Sequence, residues 1–237
     1  MKAVILAAGK GTRMKEITKS IPKPMVDIKG KPMLEHIITF IKNAGINELG
    51  IVVGYKKSII QEYFRDGSQI GVSITYIDQK EQNGTGTALH HAKNFISRES
   101  LFFTFGDVIT PQENYKGMIG YYETQKCEFL LALNTVDDPY RGGAVYIDED
   151  NNIVRIVEKP PKGTSTTNLN NAGLMILSPD IFDYTAKLKV SPRGEYELTD
   201  IFNMIHKDGK LIKGYKLSGY WKDVGTSEDI EKANRFL

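Results

Sequence analysis

Small residues and several cations follow the first apolar segment of the 237-residue chain. The segment reads Leu6-Ala7-Ala8-Gly9-Lys10-Gly11-Thr12-Arg13-Met14, and it is followed by Pro22-Lys23-Pro24. Because glycine has no Cβ, the backbone at Gly9 and Gly11 can turn sharply and bring its N–H groups close to a phosphate. Arg13 and Lys23 add two cations where a triphosphate would carry its charge. The segment therefore predicts a phosphate-binding loop and a nucleotide ligand.

Spacing argues against two common phosphate-binding loops. A Walker A loop needs the pattern G-x-x-x-x-G-K-[ST], which the chain does not contain. A Rossmann fingerprint needs a third glycine where this chain has Met14, which disfavours an NAD-dependent dehydrogenase. A lone Gly-x-Gly is also typical of a tight strand-to-helix turn with a surface arginine, so the assignment needs support from other segments.

Composition narrows the class of protein. The chain is 41% hydrophobic and 25% charged, which suits a soluble protein with a substantial core. Its net charge of only +2 does not predict a nucleic-acid-binding surface. Cys127 is the single cysteine, so no intrachain disulfide can form, and the first apolar run is too short for a signal peptide or a membrane span. We expect a cytoplasmic protein that binds neither nucleic acid nor membranes.

Apolar runs and amphipathic segments alternate along the first half of the chain. Strands are predicted at residues 2–7, 48–53, 73–77, 101–105 and 129–134, and helices at 32–44, 58–64, 87–95 and 113–125. This alternation predicts an α/β fold with a mostly parallel, Rossmann-like sheet flanked by helices. Such sheets bind ligands beyond the carboxyl ends of their strands, where the glycine-rich loop falls.

The pattern changes after about residue 137. Two strand-like runs, 145–148 and 153–158, flank the segment 149–152, whose composition is typical of a hairpin turn. The remaining elements are expected to be a polar loop at 162–170, a strand at 174–177, helices at 181–187 and 199–207, and a last helix capped by Thr226 and Asp229. This half predicts a small hairpin-containing lobe built onto the same sheet.

Short polar motifs recur along the rest of the chain. In order they are Gln79 with Gly84-Thr85-Gly86-Thr87-Ala88, Gly106-Asp107, Glu158-Lys159-Pro160, Asn171-Ala172-Gly173 and Trp221-Lys222-Asp223-Val224-Gly225-Thr226. Together with the opening loop and Pro22-Lys23-Pro24, they resemble the signature of the sugar-1-phosphate nucleotidylyltransferases, in that family's order and over nearly the whole chain. The stretch 193–200 particularly resembles the glucose-1-phosphate thymidylyltransferases and uridylyltransferases of bacteria and archaea.

The resemblance implies an enzyme that transfers a nucleotidyl group from UTP or dTTP to a hexose 1-phosphate. Glucose 1-phosphate is the leading acceptor, and the products are a nucleoside-diphosphate sugar and pyrophosphate. The 1-phosphates of N-acetylglucosamine, mannose and heptose remain alternatives. A glycosyltransferase is a further alternative, but it usually needs an Asp-x-Asp motif where this chain has Gly106-Asp107-Val108. A non-catalytic regulatory homologue is another, but it would be expected to lose charged residues that this chain retains.

The resemblance also implies roles for individual residues. Catalytic roles are implied for Arg13, Lys23, Asp107 and Asp223. Asp107 and Asp223 would hold the cofactor Mg²⁺, which prefers oxygen ligands. The nucleotide site would comprise Leu6, Ala8, Gly9, Gly11, Thr12, Arg13, Lys23, Gln79, Gly84, Thr85 and Asp107. The amide of Gln79 offers a donor and an acceptor that suit the edge of uracil or thymine. The sugar-phosphate site would comprise Gly143, Glu158, Lys159 and Asn171.

The chain is expected to form one nucleotidylyltransferase domain over residues 1–237. Residues 1–136 would be the nucleotide-binding half, and residues 137–237 the sugar-binding half with the C-terminal helix. Relatives often have an aromatic residue before the glycine that matches Gly143, whereas this chain has Gly142, which would remove bulk beside the sugar pocket. Since no hexapeptide repeats follow the last helix, no acetyltransferase activity is expected. A homo-oligomer is left open.

Overall fold

A nine-stranded sheet forms the centre of the computed structural model, which describes residues 1–11 and 14–237. The strands of this sheet and of two smaller ladders are, in chain order, β1 (Lys2–Leu6), β2 (Asp27–Ile28), β3 (Lys31–Pro32), β4 (Glu48–Val53), β5 (Ser73–Asp78), β6 (Leu101–Phe105), β7 (Val108–Ile109), β8 (Phe129–Thr135), β9 (Gly143–Ile147), β10 (Ile153–Glu158), β11 (Leu169–Leu177), β12 (Ile212–Lys216) and β13 (Lys222–Asp223). The main order is β10-β9-β11-β6-β1-β4-β5, and β8 joins β12 to β11. Two small ladders, β2 with β3 and β7 with β13, stand apart from it.

The strands of the first half run parallel. β1 pairs in parallel with β4 and β6, and β4 pairs in parallel with β5, all in unbroken register. The largely apolar and buried runs of β1, β4 and β6 suit strands that are covered on both faces by helices, whereas β5 at the edge is half exposed. The predicted α/β fold, with helices flanking a parallel sheet, is therefore confirmed.

The later strands extend the same sheet, mostly by antiparallel pairing. β11 pairs antiparallel with β6 and β8, and β9 and β10 form a hairpin in which Glu158 lies opposite Gly143. β12 pairs with β8 in parallel. The hairpin predicted from the turn composition of residues 149–152 is present at this edge of the sheet.

Helices cover both faces of the sheet. They are α1 (Lys15–Thr18), α2 (Met33–Asn43), α3 (Lys57–Phe64), α4 (Thr85–His90), α5 (Lys93–Ile96), α6 (Gln112–Gln125), α7 (Ile181–Thr185), α8 (Leu198–Lys207) and α9 (Ser227–Phe236). One apolar layer includes Ile37 of α2 and Tyr115 of α6, and the other includes Leu89 of α4 and Phe202 of α8. No helix in the described part of the chain is long and apolar enough to cross a membrane.

The helix predicted at residues 87–95 is two short helices, α4 and α5. α4 begins two residues earlier than predicted, because Gly84 has a φ of +135° and lets the chain enter the helix from a sharp bend. Between the helices, the amide of Ala92 donates to the carbonyl of Leu89, which is a tighter turn than an α-helix makes. That turn ends α4 and redirects the chain into α5.

Sequence patterns predict only residues 174–177 of β11 and do not predict β12, because the pairing of these segments depends on distant residues. β11 begins at Leu169, inside the predicted polar loop, and the buried amide of Asn170 donates to Oδ1 of Asn134 on β8. β12 has a glycine at its centre, and a Cβ on Gly214 would lie 2.6 Å from Cδ1 of Leu133. In these two strands a polar or small residue is needed for close contact with the neighbouring strand, and composition alone does not indicate that contact.

Candidate functional site

A cleft with a volume of 370 Å³ opens at the carboxyl ends of β1 and β6. Nine residues of the predicted nucleotide site line it, namely Leu6, Ala8, Gly9, Gly11, Lys23, Gln79, Gly84, Thr85 and Asp107. The other two, Thr12 and Arg13, lie outside the described residues. The structure thus gathers residues from distant motifs around one cleft, and nucleotide binding there stays a prediction.

The backbone of the glycine-rich loop is held by hydrogen bonds from neighbouring segments. The amide of Tyr55 donates to the carbonyl of Ala8 (3.1 Å), and Nε2 of Gln82 donates to the same oxygen (2.7 Å). Gly11 has a φ of +62°, and a Cβ there would lie 2.9 Å from Cβ of Lys23. Glycine is required at this position for its left-handed backbone and for its close approach to the lysine. Sequence reasoning missed Gln82, because one amide in a polar loop carries no signal.

One lysine contacts both of the aspartates predicted to bind metal. Nζ of Lys23 lies 2.5 Å from Oδ2 of Asp107 and 3.0 Å from Oδ1 of Asp223. The lysine is only 7% exposed. Burial acts to lower the pKa of Lys23, but the two carboxylates outweigh it and raise the pKa above 10.5, so the side chain is charged. Three of the four predicted catalytic residues are therefore in contact, and the fourth, Arg13, lies outside the described residues.

Backbone pairing fixes the two aspartates relative to each other. Asp107 stands between β6 and β7, and Asp223 ends β13. Asp223 is opposite Val108 in the ladder between β7 and β13, and the amide of Val224 donates to the carbonyl of Asp107 (2.9 Å). Asp223 thus lies on one short strand and Asp107 directly precedes another, and these two strands pair only with each other.

Side chains from other elements hold the segment that leads into β13. Asn114 is 1% exposed; its Nδ2 donates to the carbonyl of Ser218 (2.9 Å), and its Oδ1 accepts from the amide of Ser218 (3.1 Å). Nε1 of Trp221 donates to the carbonyl of Ala172 (2.8 Å). These contacts fix the approach to Asp223 from its N-terminal side.

Asp229, in the first turn of α9, holds residues on both sides of Asp223. Its Oδ2 accepts from the amide of Gly225 (3.0 Å) and from the hydroxyl of Thr226 (2.8 Å). Its Oδ1 lies 2.9 Å from Nζ of Lys222. Burial acts to raise the pKa of Asp229, but these partners outweigh it and hold the pKa below 3.8. The side chain of Thr226 accepts from the amide of Asp229, so the predicted cap of the last helix is confirmed.

The segment after β5 meets a distant segment of the second half. Gln79 is 6% exposed, and its Nε2 donates to the carbonyl of Gly84 (3.4 Å). The amide of Gly86 donates to the carbonyl of Tyr196 (3.0 Å), and the amide of Tyr196 donates to the carbonyl of Asn83 (2.9 Å). This backbone pairing closes one side of the cleft.

Three residues of the predicted sugar-phosphate site form a second group. A Cβ on Gly143 would lie 3.5 Å from Cβ of Asn171 and 3.6 Å from Oε2 of Glu158. Lys159 follows the hairpin, is exposed, and has its amide bonded to the carbonyl of Gly142 (2.8 Å). Among the residues that line the 370 Å³ cleft, none belongs to this group. The predicted site residues therefore divide into two neighbourhoods.

The segment 191–199 contacts the second group, and sequence reasoning assigned it no role. Nη1 of Arg193 lies 2.8 Å from Oε1 of Glu197 and 3.5 Å from Oε1 of Glu158. The hydroxyl of Thr199 donates to Oε2 of Glu158 (2.6 Å). Burial and the charge of Glu158 raise the pKa of Glu197. The stretch is visible as a motif in the sequence, but its contacts join residues far apart along the chain.

The space beside Gly142 is filled, contrary to the expectation of lost bulk. A Cβ on Gly142 would collide with Oδ1 of Asn170 and lie 3.2 Å from its Cγ. Nδ2 of Asn170 is fixed by donating to Oδ1 of Asn134 (3.1 Å) and to the carbonyl of Asn171 (2.8 Å). A buried amide therefore takes the room that a side chain at residue 142 would need.

Comparison with known proteins gives consistent matches over the whole chain. A model of the nucleotidyl transferase family matches residues 2–237. The chain is 42% identical, over 99% of its length, to the bifunctional protein GlmU of Methanococcus maripaludis, of which it covers 54%. It is 32% identical, over its full length, to the UTP–glucose-1-phosphate uridylyltransferase AglF of Haloferax volcanii, of which it covers 96%. A crystal structure of UDP-glucose pyrophosphorylase with UDP-glucose superposes with a TM-score of 0.90 at 26% identity, covering 99% of this chain and 97% of that one.

The first of these relatives is much longer than this chain. The chain spans about half the length of the GlmU proteins that it matches. AglF and UDP-glucose pyrophosphorylase, in contrast, are covered almost entirely. The matched region in each case includes the cleft and both groups of predicted site residues.

Proposed function

Because the chain belongs to the nucleotidyl transferase family, we propose that it transfers a nucleotidyl group from a pyrimidine nucleoside triphosphate to a hexose 1-phosphate. The observation that carries this proposal is the cleft lined by the glycine-rich loop, Lys23 and Asp107, with the carboxylate of Asp223 bonded to the same lysine. This combination suits the charge of a triphosphate and its metal ion. UTP or dTTP is the proposed donor, and glucose 1-phosphate is the leading acceptor.

The proposed reaction is an in-line displacement at phosphorus. An oxygen of the sugar phosphate attacks the α-phosphorus and forms a new P–O bond. The bond from the α-phosphorus to the oxygen that bridges to the β-phosphate breaks, and pyrophosphate leaves with the electron pair. Positioning and charge neutralisation dominate such reactions. We assign the phosphates to the backbone of Gly9, Gly11 and Thr12, the leaving pyrophosphate to Arg13, and the α-phosphate to Lys23.

The carboxylates of Asp107 and Asp223 suit a Mg²⁺ ion. Both approach a single ammonium group, so they converge within reach of one small cation. In the described part of the chain, no cluster of three or more His, Cys, Asp or Glu side chains forms a metal site. Two carboxylates leave room for phosphate oxygens and waters in the octahedral shell that Mg²⁺ prefers. When bound, Mg²⁺ would neutralise charge on the phosphates.

We expect Asp229→Asn to lower kcat about tenfold and to raise the Mg²⁺ concentration needed for half-maximal rate. The substitution removes the negative charge that faces Lys222 and weakens the hold on residues on both sides of Asp223. The KM for the sugar phosphate should change little. Steady-state kinetics over a range of Mg²⁺ concentrations measure all three quantities.

Glu228→Gln is the matched control for that change. Glu228 lies in the same first turn of α9, and it pairs with the exposed Lys232 rather than with the strand that carries Asp223. Glu228→Gln removes one negative charge from the first turn of α9, as Asp229→Asn does. It should nevertheless leave kcat within about twofold of the wild-type value. Equal losses in the two variants would mean that only the charge of the helix turn matters.

For the base we assign Gln79, because it is buried in the cleft wall and carries both a donor and an acceptor. Gln79→Ala should raise the KM for the nucleotide about tenfold, the loss of roughly one hydrogen bond, with little change in the KM for the sugar phosphate. It should also reduce the preference for UTP over CTP. Gln69→Ala, which alters a surface amide bonded to Tyr63, should change neither constant. Equal increases in both KM values would reject a base-reading role.

For the sugar phosphate we assign Gly143, Glu158, Lys159 and Asn171. The contiguity of three of them supports this, as does the exposed cation at the end of the hairpin. We also propose that residues 1–237 act as one domain, with residues 1–136 binding the nucleotide and residues 137–237 the sugar. The buried free thiol of Cys127 fits a cytoplasmic setting.

A substrate panel tests the proposed function. Purified protein with Mg²⁺ would be incubated with each common nucleoside triphosphate and with the 1-phosphates of glucose, N-acetylglucosamine and mannose. Pyrophosphate release is expected with UTP or dTTP, and with glucose 1-phosphate most strongly. Release with another sugar would correct the acceptor alone. No release with any pair would overturn the proposal, and consumption of a nucleoside-diphosphate sugar instead would favour a glycosyltransferase.

A further inference from the structure

We propose that the ammonium group of Lys23 and a divalent cation occupy the same position between Asp107 and Asp223 in turn. In the protein without metal the lysine is a counter-ion of both carboxylates, and metal entry displaces it towards the phosphates. The inference rests on the proposed function, which assigns the two aspartates to a metal. It adds that the metal binds between the aspartates only when the side chain of Lys23 moves from them into the cleft.

The first support is the position of the lysine. Its Nζ is within hydrogen-bonding distance of one oxygen on each carboxylate, at 2.5 and 3.0 Å. A Mg²⁺ or Mn²⁺ ion that used the same two carboxylates would sit about 2.1 Å from their oxygens. The ion and the ammonium group would therefore compete for one small volume, and their like charges forbid sharing it. Metal binding to both aspartates through these two oxygens requires the lysine to leave.

The second support is that only the side chain has to move. Lys23 begins a 3-10 turn over Lys23–Met25, with Pro22 before it and Pro24 inside it. The two proline rings restrict the backbone on either side of the lysine. Its side chain has four rotatable carbon–carbon bonds, and it borders the open 370 Å³ cleft. Rotation about those bonds can carry the ammonium group into the cleft.

The third support is the change in charge. Replacing one ammonium group between the two carboxylates by a divalent cation adds one positive charge at that position. Exchange therefore makes the edge of the cleft more positive and releases the ammonium group into it. Both changes favour the arrival of an anionic triphosphate. A lysine that stayed on the aspartates would be unavailable to the α-phosphate.

The test measures binding of Mn²⁺ alone, without nucleotide or sugar, by titration calorimetry on the full chain. Lys23→Met removes the competing charge, so the variant should bind one Mn²⁺ about 10- to 100-fold more tightly than the wild type, a typical coupling between two ligands. Adding Asp223→Asn should abolish the gain. Lys57→Met is the matched control: Lys57 also pairs with an aspartate, Asp78 at 2.6 Å, and its loss should leave Mn²⁺ affinity unchanged.

A measurement on the wild type guards against a variant that fails to fold. The amine of Lys23 should react slowly with acetic anhydride in the metal-free protein and faster at saturating Mn²⁺, as followed by mass spectrometry of the peptide. Faster labelling specific to Lys23 supports the exchange. Unchanged labelling of Lys23 overturns the proposal. It is also overturned if folded Lys23→Met binds Mn²⁺ no more tightly than the wild type, or if neither protein binds Mn²⁺. Because no substrate is used, loss of pyrophosphate release in the panel would overturn the function without deciding this outcome.

Discussion

Asp223→Asn is expected to lower kcat about 10²- to 10³-fold, the effect of losing one preorganised electrostatic contact. An amide keeps the size of the side chain but removes the charge that faces Lys23 and that would hold the metal. The fold should persist, because Asp223 is fixed by its backbone pairing with β7 and its side chain is partly open to solvent. Kinetics at saturating Mg²⁺ and thermal unfolding followed by circular dichroism would measure the two effects.

Asp148→Asn provides a control for that experiment. Asp148 is also a well-bonded carboxylate, but it stabilises the hairpin turn through Asn152, away from the cleft. Its replacement should leave kcat unchanged. If Asp223→Asn retains near-normal turnover, Asp223 is not a metal ligand and the proposed mechanism loses one of its two carboxylates.

Gly84→Ala is expected to lower the free energy of unfolding by about 3 kcal/mol or more. Gly84 has a φ of +135°, which L-residues with a side chain rarely adopt. An added Cβ would also lie 2.5 Å from the amide nitrogen of Tyr196 and would collide with its carbonyl oxygen. Because backbone atoms cannot yield as a flexible side chain can, the contact between residues 83–86 and 196 would have to open. Urea unfolding would measure the loss of stability.

The consequence for ligand binding should be equally large, since Gly84 and Thr85 line the cleft. Gly120→Ala is the control: Gly120 lies within α6, nothing stands within 4 Å of its added Cβ, and alanine there should stabilise the helix by up to about 1 kcal/mol. A Gly84→Ala protein as stable as the wild type would show that the two segments can separate without cost.

Local sequence patterns were sufficient to predict the parallel half of the sheet and the position of the cleft at the carboxyl ends of its strands. The run Leu101–Phe105 is apolar and buried, so it predicts a strand and puts Asp107 at its carboxyl end. The same reasoning places Gly9 and Gly11 after β1. In these cases, a residue's position follows from the pattern of its immediate neighbours.

Contacts between distant segments could not be predicted in this way. β13 has two residues and forms only by pairing with β7, so no pattern within residues 218–224 indicates that Asp223 meets Lys23. The contact of Arg193 with Glu158 depends in the same way on the packing of α8 and its preceding segment against the hairpin. Gly142 gave a wrong expectation because the residue that fills its space, Asn170, belongs to another strand.

The pairing of Lys23 with Asp223 also sets when during synthesis the site can first exist. The two residues are 200 positions apart in the chain. At ribosomal rates of about 5–20 residues per second, roughly 10–40 s separate their appearance. Late in that interval the nascent chain contains the glycine-rich loop, Lys23 and Asp107 but still lacks Asp223. Under the proposed mechanism, a chain that ends before Asp223 lacks one of the two carboxylates, so it is expected to have no transferase activity.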